Sequence, residues 1–236
     1  TLEDFKGAAA DIRQTTRTLL AQGVQAPALT ELISHLNDVL TQQMVTVKAH
    51  AHGLDLGQAC WLAFGSEGRC EQTVATDQDN GLIFVSEDPQ RDRPAWLAFA
   101  REVNEWLDAC GYPLCKGQVM ASNPACCLTP QEWRERFLKW IEQGSPEDLL
   151  AASIYFDLRP LAGQLDLAQG LMELVADKTR ANPRFCRQLA EEVLRSPAAL
   201  GWLGGIEAQS IDGVAMLDLK LHGTAVFVAV ARLRSL

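Results

Sequence analysis

No surplus of positive charge marks this chain: its 236 residues carry 21 Lys and Arg against 30 Asp and Glu, a formal charge of −9. That excludes a surface devoted to neutralising many nucleic-acid phosphates, so no polynucleotide partner is expected. Long apolar runs are missing too. The last one, 224–233, falls far short of the roughly 20 residues that a spanning helix needs, so no membrane partner is expected either. The seven cysteines are odd in number and show no paired CxxC spacing. Set mostly in apolar runs, they read as reduced core thiols and point to a cytoplasmic setting. No leader-like segment, internal repeat, low-complexity tract, Walker motif, GxGxxG or nucleophile elbow is found. The chain opens at Thr1, without Met and directly in a helical pattern, so it is expected to be one part of a longer polypeptide.

What is present is an apolar fraction of 47%, enough for a core, and one stretch that organises the rest, WLAFGSEGRCEQTVATDQDNGLIFV at 61–85. If its second apolar run is a strand opening at Asp77, then Asp77 and Asp79 leave the same face roughly 6–7 Å apart. Two close carboxylates repel unless a cation lies between them. Mg²⁺ or Mn²⁺ suits such a pair, because hard divalent ions take one or two carboxylates and complete their shell with phosphate oxygens. Gly65-Ser66, placed before a helix, supplies bare N–H groups and a hydroxyl for those phosphates, and Arg69 reaches either Glu71 or a phosphate. Taken singly, Gly-Ser is a common turn and Asp-x-Asp a common solvated loop. Their order and separation point to a metal-nucleotide site.

Along the chain, Leu2, Phe5, Ala9, Ile12, Thr16 and Leu19 recur at helical spacing, as do Leu29, Ile33, Leu36, Leu40, Met44 and Val47. They predict a helical hairpin over 1–54, which either packs on the later elements of the chain or serves as a coupling or homodimer-forming element. His50 and His52 read as helix-end cations rather than metal ligands. Residues 59–64 predict a buried strand and 67–73 a helix. Residues 86–93 predict a loop, Pro94 a helix start, and 114–121 a further strand that carries no acid. Thr129-Pro130-Gln131-Glu132 and Ser145-Pro146-Glu147-Asp148 are marked helix starts. Pro160 disfavours helix at Arg159, which puts Asp157 in a last helical turn, opposed by the macrodipole. Two readings of that pair stand: a local Asp157–Arg159 ion pair, or Asp157 as an additional catalytic acid with Arg159 as a phosphate contact. Helices are predicted over 164–178, after Asn182-Pro183, and over 225–233, with a hairpin or irregular loop around Asp212-Gly213. Lys220 is either an exposed lysine or a nucleotide-phosphate contact.

The run Gly65-Ser66, Gly68-Arg69, Glu71-Gln72, then Thr76-Asp77-Gln78-Asp79-Asn80 resembles the signature of the polymerase-beta-type nucleotidyltransferase superfamily. More narrowly, with Val119 to Asn123, Phe156-Asp157-Leu158-Arg159 and Asp218-Leu219-Lys220, it resembles the putative nucleotidyltransferase family found behind CBS and cyclic-nucleotide-binding domains, related to the uridylyltransferase of the PII protein. The resemblance implies an α+β chain: a small mixed β-sheet nucleotidyltransferase domain at 55–128, flanked by the N-terminal helical hairpin and a C-terminal helical bundle, a putative substrate-binding domain, at 129–236. It implies upstream sensory domains and a Mg²⁺-dependent transfer of a nucleoside monophosphate from a nucleoside triphosphate to a hydroxyl acceptor, by resemblance one on a protein. Because active members of the superfamily usually take a third carboxylate from a later strand, and 114–121 offers none, a catalytically inactive nucleotide-sensing module is the alternative. A pure interaction domain, with Asp77 and Asp79 merely facing solvent, is a third.

Overall fold

A computed structural model describes residues 1–73, 76–195, 205–206, 209–211 and 214–235. The described residues form a mixed α+β fold that gathers into two compact units, Thr1–Glu135 with Ile154–Met172, and Arg136–Ser153 with Glu173–Leu236.

The first unit begins with the helical hairpin. Helix α1 (Leu2–Ala21) is started by a capping box in which the Thr1 side chain and Asp4 satisfy each other's backbone N–H groups. Helix α2 (Ala26–Ala51) has proline in its first turn and Lys48 and His50 in its last, where cations suit the dipole. Its buried stripe runs through Leu29, Ile33, Leu40, Met44 and Val45, but also carries Ser34, Asn37 and Thr41.

That stripe packs on a four-stranded sheet of order β3-β2-β1-β4, made of β1 (Ala59–Ala63), β2 (Asn80–Phe84), β3 (Cys127–Leu128) and β4 (Arg159–Gly163). Strand β1 pairs antiparallel with both β2 and β4, and β2 pairs parallel with β3. Every residue of β1 and β2 is buried, so both faces of the sheet are covered, and apart from the buried Asn80 that opens β2 the two strands carry no polar side chain. On one face Trp61, Leu82 and Phe84 join Leu40, Met44 and Val45 of α2 and Trp96, Phe99 and Val103 of helix α4 (Pro89–Ala109) in a single core. Trp133 binds the sheet through a hydrogen bond from its indole N–H to the Leu82 carbonyl, 3.1 Å.

Three local expectations are corrected. Helix α4 starts at Pro89, with Asp88 as its cap, and Pro94 lies inside it. Near the helix start the proline forfeits a single i→i−4 bond, so the helix tolerates it. Segment 114–121 is irregular, not a strand, because it breaks at a turn through Lys116-Gly117 and Gln118 takes a positive φ of 58°. The strand beside β2 is instead the two-residue β3. Arg159 and Pro160, read from sequence as a helix-end turn, open β4.

The second unit holds the later part of α5 (Pro130–Gln143), most of α6 (Pro146–Tyr155), the end of α7 (Asp166–Arg180), α8 (Pro183–Arg195) and α9 (Ala225–Ser235). Asn182 joins two of these: its Oδ1 accepts from Phe185 N–H at 3.2 Å, capping α8, while its Nδ2 donates to the Ile141 carbonyl at 2.9 Å. Phe137, Ile141 and Phe185 are buried beside this junction. Strands β5 (Gln209–Ile211) and β6 (Val214–Met216) pair antiparallel as the predicted hairpin requires, while Asp212-Gly213 lies outside the described residues.

Among the described residues, no helix is long and apolar enough to cross a membrane.

Candidate metal-nucleotide site

The site starts where β1 ends. Phe64 is extended and Gly65 then turns with φ +54°, a conformation that an L side chain adopts only under strain. Helix α3 (Gly65–Gly68) is a single turn, shorter than the predicted 67–73 helix, and the chain leaves it through Cys70 at φ 56°. A Cβ on Gly68 would collide with the Asp157 carbonyl oxygen, so glycine is what lets the two segments close on each other.

The acids arrive in an extended lead-in to β2 rather than inside the strand, which begins at Asn80. The N–H groups of Gln78 and Asn80 donate to the carbonyls of Pro113 and Val119, both at 3.0 Å, so their partners come from the irregular 113–119 segment instead of a strand ladder. Burial nevertheless alternates: Thr76, Gln78 and Asn80 are buried, Asp77 is exposed and Asp79 half-buried. This alternation puts both carboxylates on the outward side.

Asp79 also meets the turn. Its backbone carbonyl accepts from Phe64 N–H at 2.8 Å, and its Oδ2 lies 3.0 Å from the place a Gly65 Cβ would occupy. Asp79 Oδ1 accepts from the buried Cys115 thiol at 3.2 Å. The hydroxyls of Ser66 and Thr76 are 3.5 Å apart, closing the other side of the turn. Gly65, Ser66 and Asp79 are therefore neighbours, with Asp77 two positions further out on the same side.

Arg69 makes the Glu71 pair read from the sequence, and both arginines also make longer-range pairs. Arg69 donates from Nε to Glu71 at 2.8 Å and from its guanidinium to Asp157, whose side chain is nearly buried. Helix α6 ends at Tyr155, so Asp157 lies beyond it, in the turn leading to β4. Arg159 is gripped fork to fork by Asp38 of α2, at 2.8 and 2.9 Å, and donates again to the Glu67 carbonyl at 2.9 Å. Lys220 belongs to the second unit, exposed on a π-helical turn, Lys220–Thr224.

Three carboxyl groups, Glu67, Asp38 and Asp79, gather at this corner. Burial, helped by the Asp38 and Asp79 charges against a smaller pull from Arg159, pushes the Glu67 carboxyl up to about 8. Sequence reasoning missed Asp38 and Glu67 as parts of the site, and it missed the buried amides of Gln72, Gln78 and Asn104. The available signal was polar residues on the apolar stripes of two helices, Ser34 and Asn37 on α2 and Asn104 between Val103 and Leu107 on α4.

The residues present fit a hard divalent cation. Of the two outward carboxylates, that of Asp79 stands beside the bare α-carbon of Gly65, whose missing Cβ leaves open the space next to Asp79 Oδ2. Among the described residues, no three or more His, Cys, Asp and Glu side chains are grouped to hold a metal by themselves. A two-carboxylate set is what Mg²⁺ uses where substrate phosphates supply the remaining oxygens.

A family model described as putative nucleotidyltransferase DUF294 matches residues 10–147, and one described as putative nucleotidyltransferase substrate binding domain matches residues 183–236. No curated protein matches the chain.

Proposed function

The chain belongs to the DUF294 family of putative nucleotidyltransferases, and on that premise we propose that it moves a nucleoside monophosphate from a Mg²⁺- or Mn²⁺-bound nucleoside triphosphate to a hydroxyl acceptor, one carried by a protein. The observation that carries this reading is the meeting of Asp79 with Gly65, since it brings one acid of the pair onto the turn suited to phosphates. Asp77 and Asp79 hold the cation. When bound, that cation shields the triphosphate and stabilises the charge that develops on its oxygens.

The chain's own residues then act by position. Gly65 lets phosphate oxygens approach the backbone, and Ser66 offers a hydroxyl at the same turn. Arg69, held by Glu71 and Asp157, braces the turn and contributes positive charge close to it. Arg159 braces it from behind through Asp38 and the Glu67 carbonyl. In this reaction the acceptor oxygen bonds to the α-phosphorus, the bond to the bridging oxygen breaks, pyrophosphate leaves, and the acceptor proton goes to solvent. Asp157 acts through Arg69.

The test is pyrophosphate release with each of four nucleoside triphosphates, together with the intact mass of candidate acceptor proteins after incubation. An added nucleotide mass that disappears in the Asp77→Ala, Asp79→Ala double variant is expected. The same mass in both proteins rejects the site. One observation favours a second reading, a nucleotide-sensing module: β3, the strand beside β2, consists of Cys127 and Leu128 and brings no third acid. On that reading the protein binds the metal-nucleotide without releasing pyrophosphate.

A further inference from the structure

Asn104 sits on the apolar face of α4 and is 1% exposed. A buried amide is costly unless its groups find partners, and this one finds them all on one segment and its neighbours. Its Nδ2 donates to Gln78 Oε1 at 2.8 Å and to Asn80 Oδ1 at 3.0 Å, its Oδ1 accepts from Ser122 N–H at 3.1 Å, and its backbone carbonyl accepts from Gln78 Nε2 at 3.0 Å. Gln78 Nε2 also donates to the Tyr112 carbonyl at 2.8 Å, and Asn80 Oδ1 also accepts from Ala121 N–H at 2.8 Å.

Gln78 and Asn80 are the residues on either side of Asp79, and Gln78 separates it from Asp77. In an extended segment a slip of one residue turns every outward side chain inward. The lead-in to β2 touches the β1 ladder only at its last residue, where the Asp79 carbonyl accepts from Phe64 N–H, and the N–H groups of Gln78 and Asn80 go to the irregular carbonyls of Pro113 and Val119. Ahead of that contact the register needs further support from side chains. We infer that Asn104 is the positioning residue of the acid pair: by holding the Gln78 and Asn80 amides inward, it keeps Asp77 and Asp79 outward at the spacing that receives a divalent cation. The inference rests on the metal-nucleotide reading above, and it adds that the selectivity of the site for an ordered two-carboxylate geometry is set from α4, away from the ligands themselves.

The test uses the full chain and Mn²⁺ as probe, with free ion counted by electron paramagnetic resonance and thermal unfolding measured alongside. Asn104→Ala and the near-isosteric Gln78→Met are each expected to weaken Mn²⁺ binding about 10-fold or more, the range typical of groups that orient metal ligands. Ser34→Ala removes the buried hydroxyl that accepts from Gln72 N–H at 3.2 Å. It is expected to lower the unfolding temperature while leaving Mn²⁺ affinity within about twofold of the parent, since one lost buried hydrogen bond is a stability effect. If Asn104→Ala does not fold, Gln78→Met decides alone. Binding that is lost in Asp77→Asn but unchanged in Asn104→Ala and Gln78→Met overturns the role of Asn104 and leaves the site standing. A parent protein that binds no Mn²⁺, or binds it equally well as Asp77→Asn, overturns the site and this inference together.

Discussion

Asp38 and Arg159 are 121 positions apart in the chain and meet fork to fork, two parallel hydrogen bonds of 2.8 and 2.9 Å joining the middle of α2 to the first residue of β4. The pair is half-buried, so solvent screens part of its attraction, but bidentate geometry keeps it above an ordinary surface bridge. Because the same guanidinium also holds the Glu67 carbonyl, the hairpin helix is connected directly to the phosphate-side turn.

A double-mutant cycle on Asp38→Ala and Arg159→Ala should therefore show coupling. Urea unfolding is expected to give roughly 1–3 kcal/mol for each single change and a coupling energy of about 1 kcal/mol. Strict additivity would mean that the pair contributes nothing of its own.

Gly65 and Gly68 should fail in different ways. Gly65→Ala has to accept a positive φ, at a cost on the order of 1–2 kcal/mol, and its methyl group crowds Asp79 Oδ2. It should fold and lose Mn²⁺ affinity. Gly68→Ala places a methyl against a backbone carbonyl that no rotamer change can move, so a loss of ~3 kcal/mol or more is expected in the same unfolding assay. Equal behaviour of the two variants would contradict the assignment of one glycine to the ligand side and the other to packing.

Glu67 sets a pH dependence of stability. Its carboxyl is raised from the ordinary 4.5 to about 8, mainly by burial, so between those values the folded protein keeps a proton that the unfolded chain has released. The associated stability is complete below about pH 4.5 and drains away as pH rises to about 8. Each pH unit of that displacement is worth about 1.4 kcal/mol, so Glu67→Gln should gain roughly 2–4 kcal/mol on the parent at pH 9 and show little difference near pH 4. Thermal unfolding of both proteins from pH 4 to 9 checks this, and parallel curves would show that Glu67 does not hold the extra proton.

Features written in neighbouring residues were legible in the sequence. The Thr129–Glu132 capping box forms as read, with Thr129 N–H donating to Glu132 at 2.8 Å, and Ser145 and Asp148 exchange bonds at 3.0 and 3.2 Å. Local spacing is enough for such motifs because both partners lie within one turn. Segment 114–121 was misread because its apolar residues suggested a strand, whereas a turn at Lys116-Gly117 and a left-handed Gln118 interrupt it. Strand β4 was hidden by Pro160, which signals the end of a helix and is equally at home on a sheet edge. The pairs Asp38–Arg159 and Arg69–Asp157 could not be read at all, because one sequence carries no record of which distant residues meet. The amides of Asn37 and Asn104 were visible as polar breaks in apolar stripes, but the pattern alone does not say what they bind.

The sheet is flanked by β3, two residues long, and by β4, which carries Pro160. Neither flank offers a run of unpaired N–H and C=O groups long enough to template another strand. Fibril-like stacking or strand exchange through this sheet is thereby discouraged at both ends, and any second copy that associates with the first unit would have to recognise it by side chains, on helical or loop surfaces, where selectivity is easier to encode.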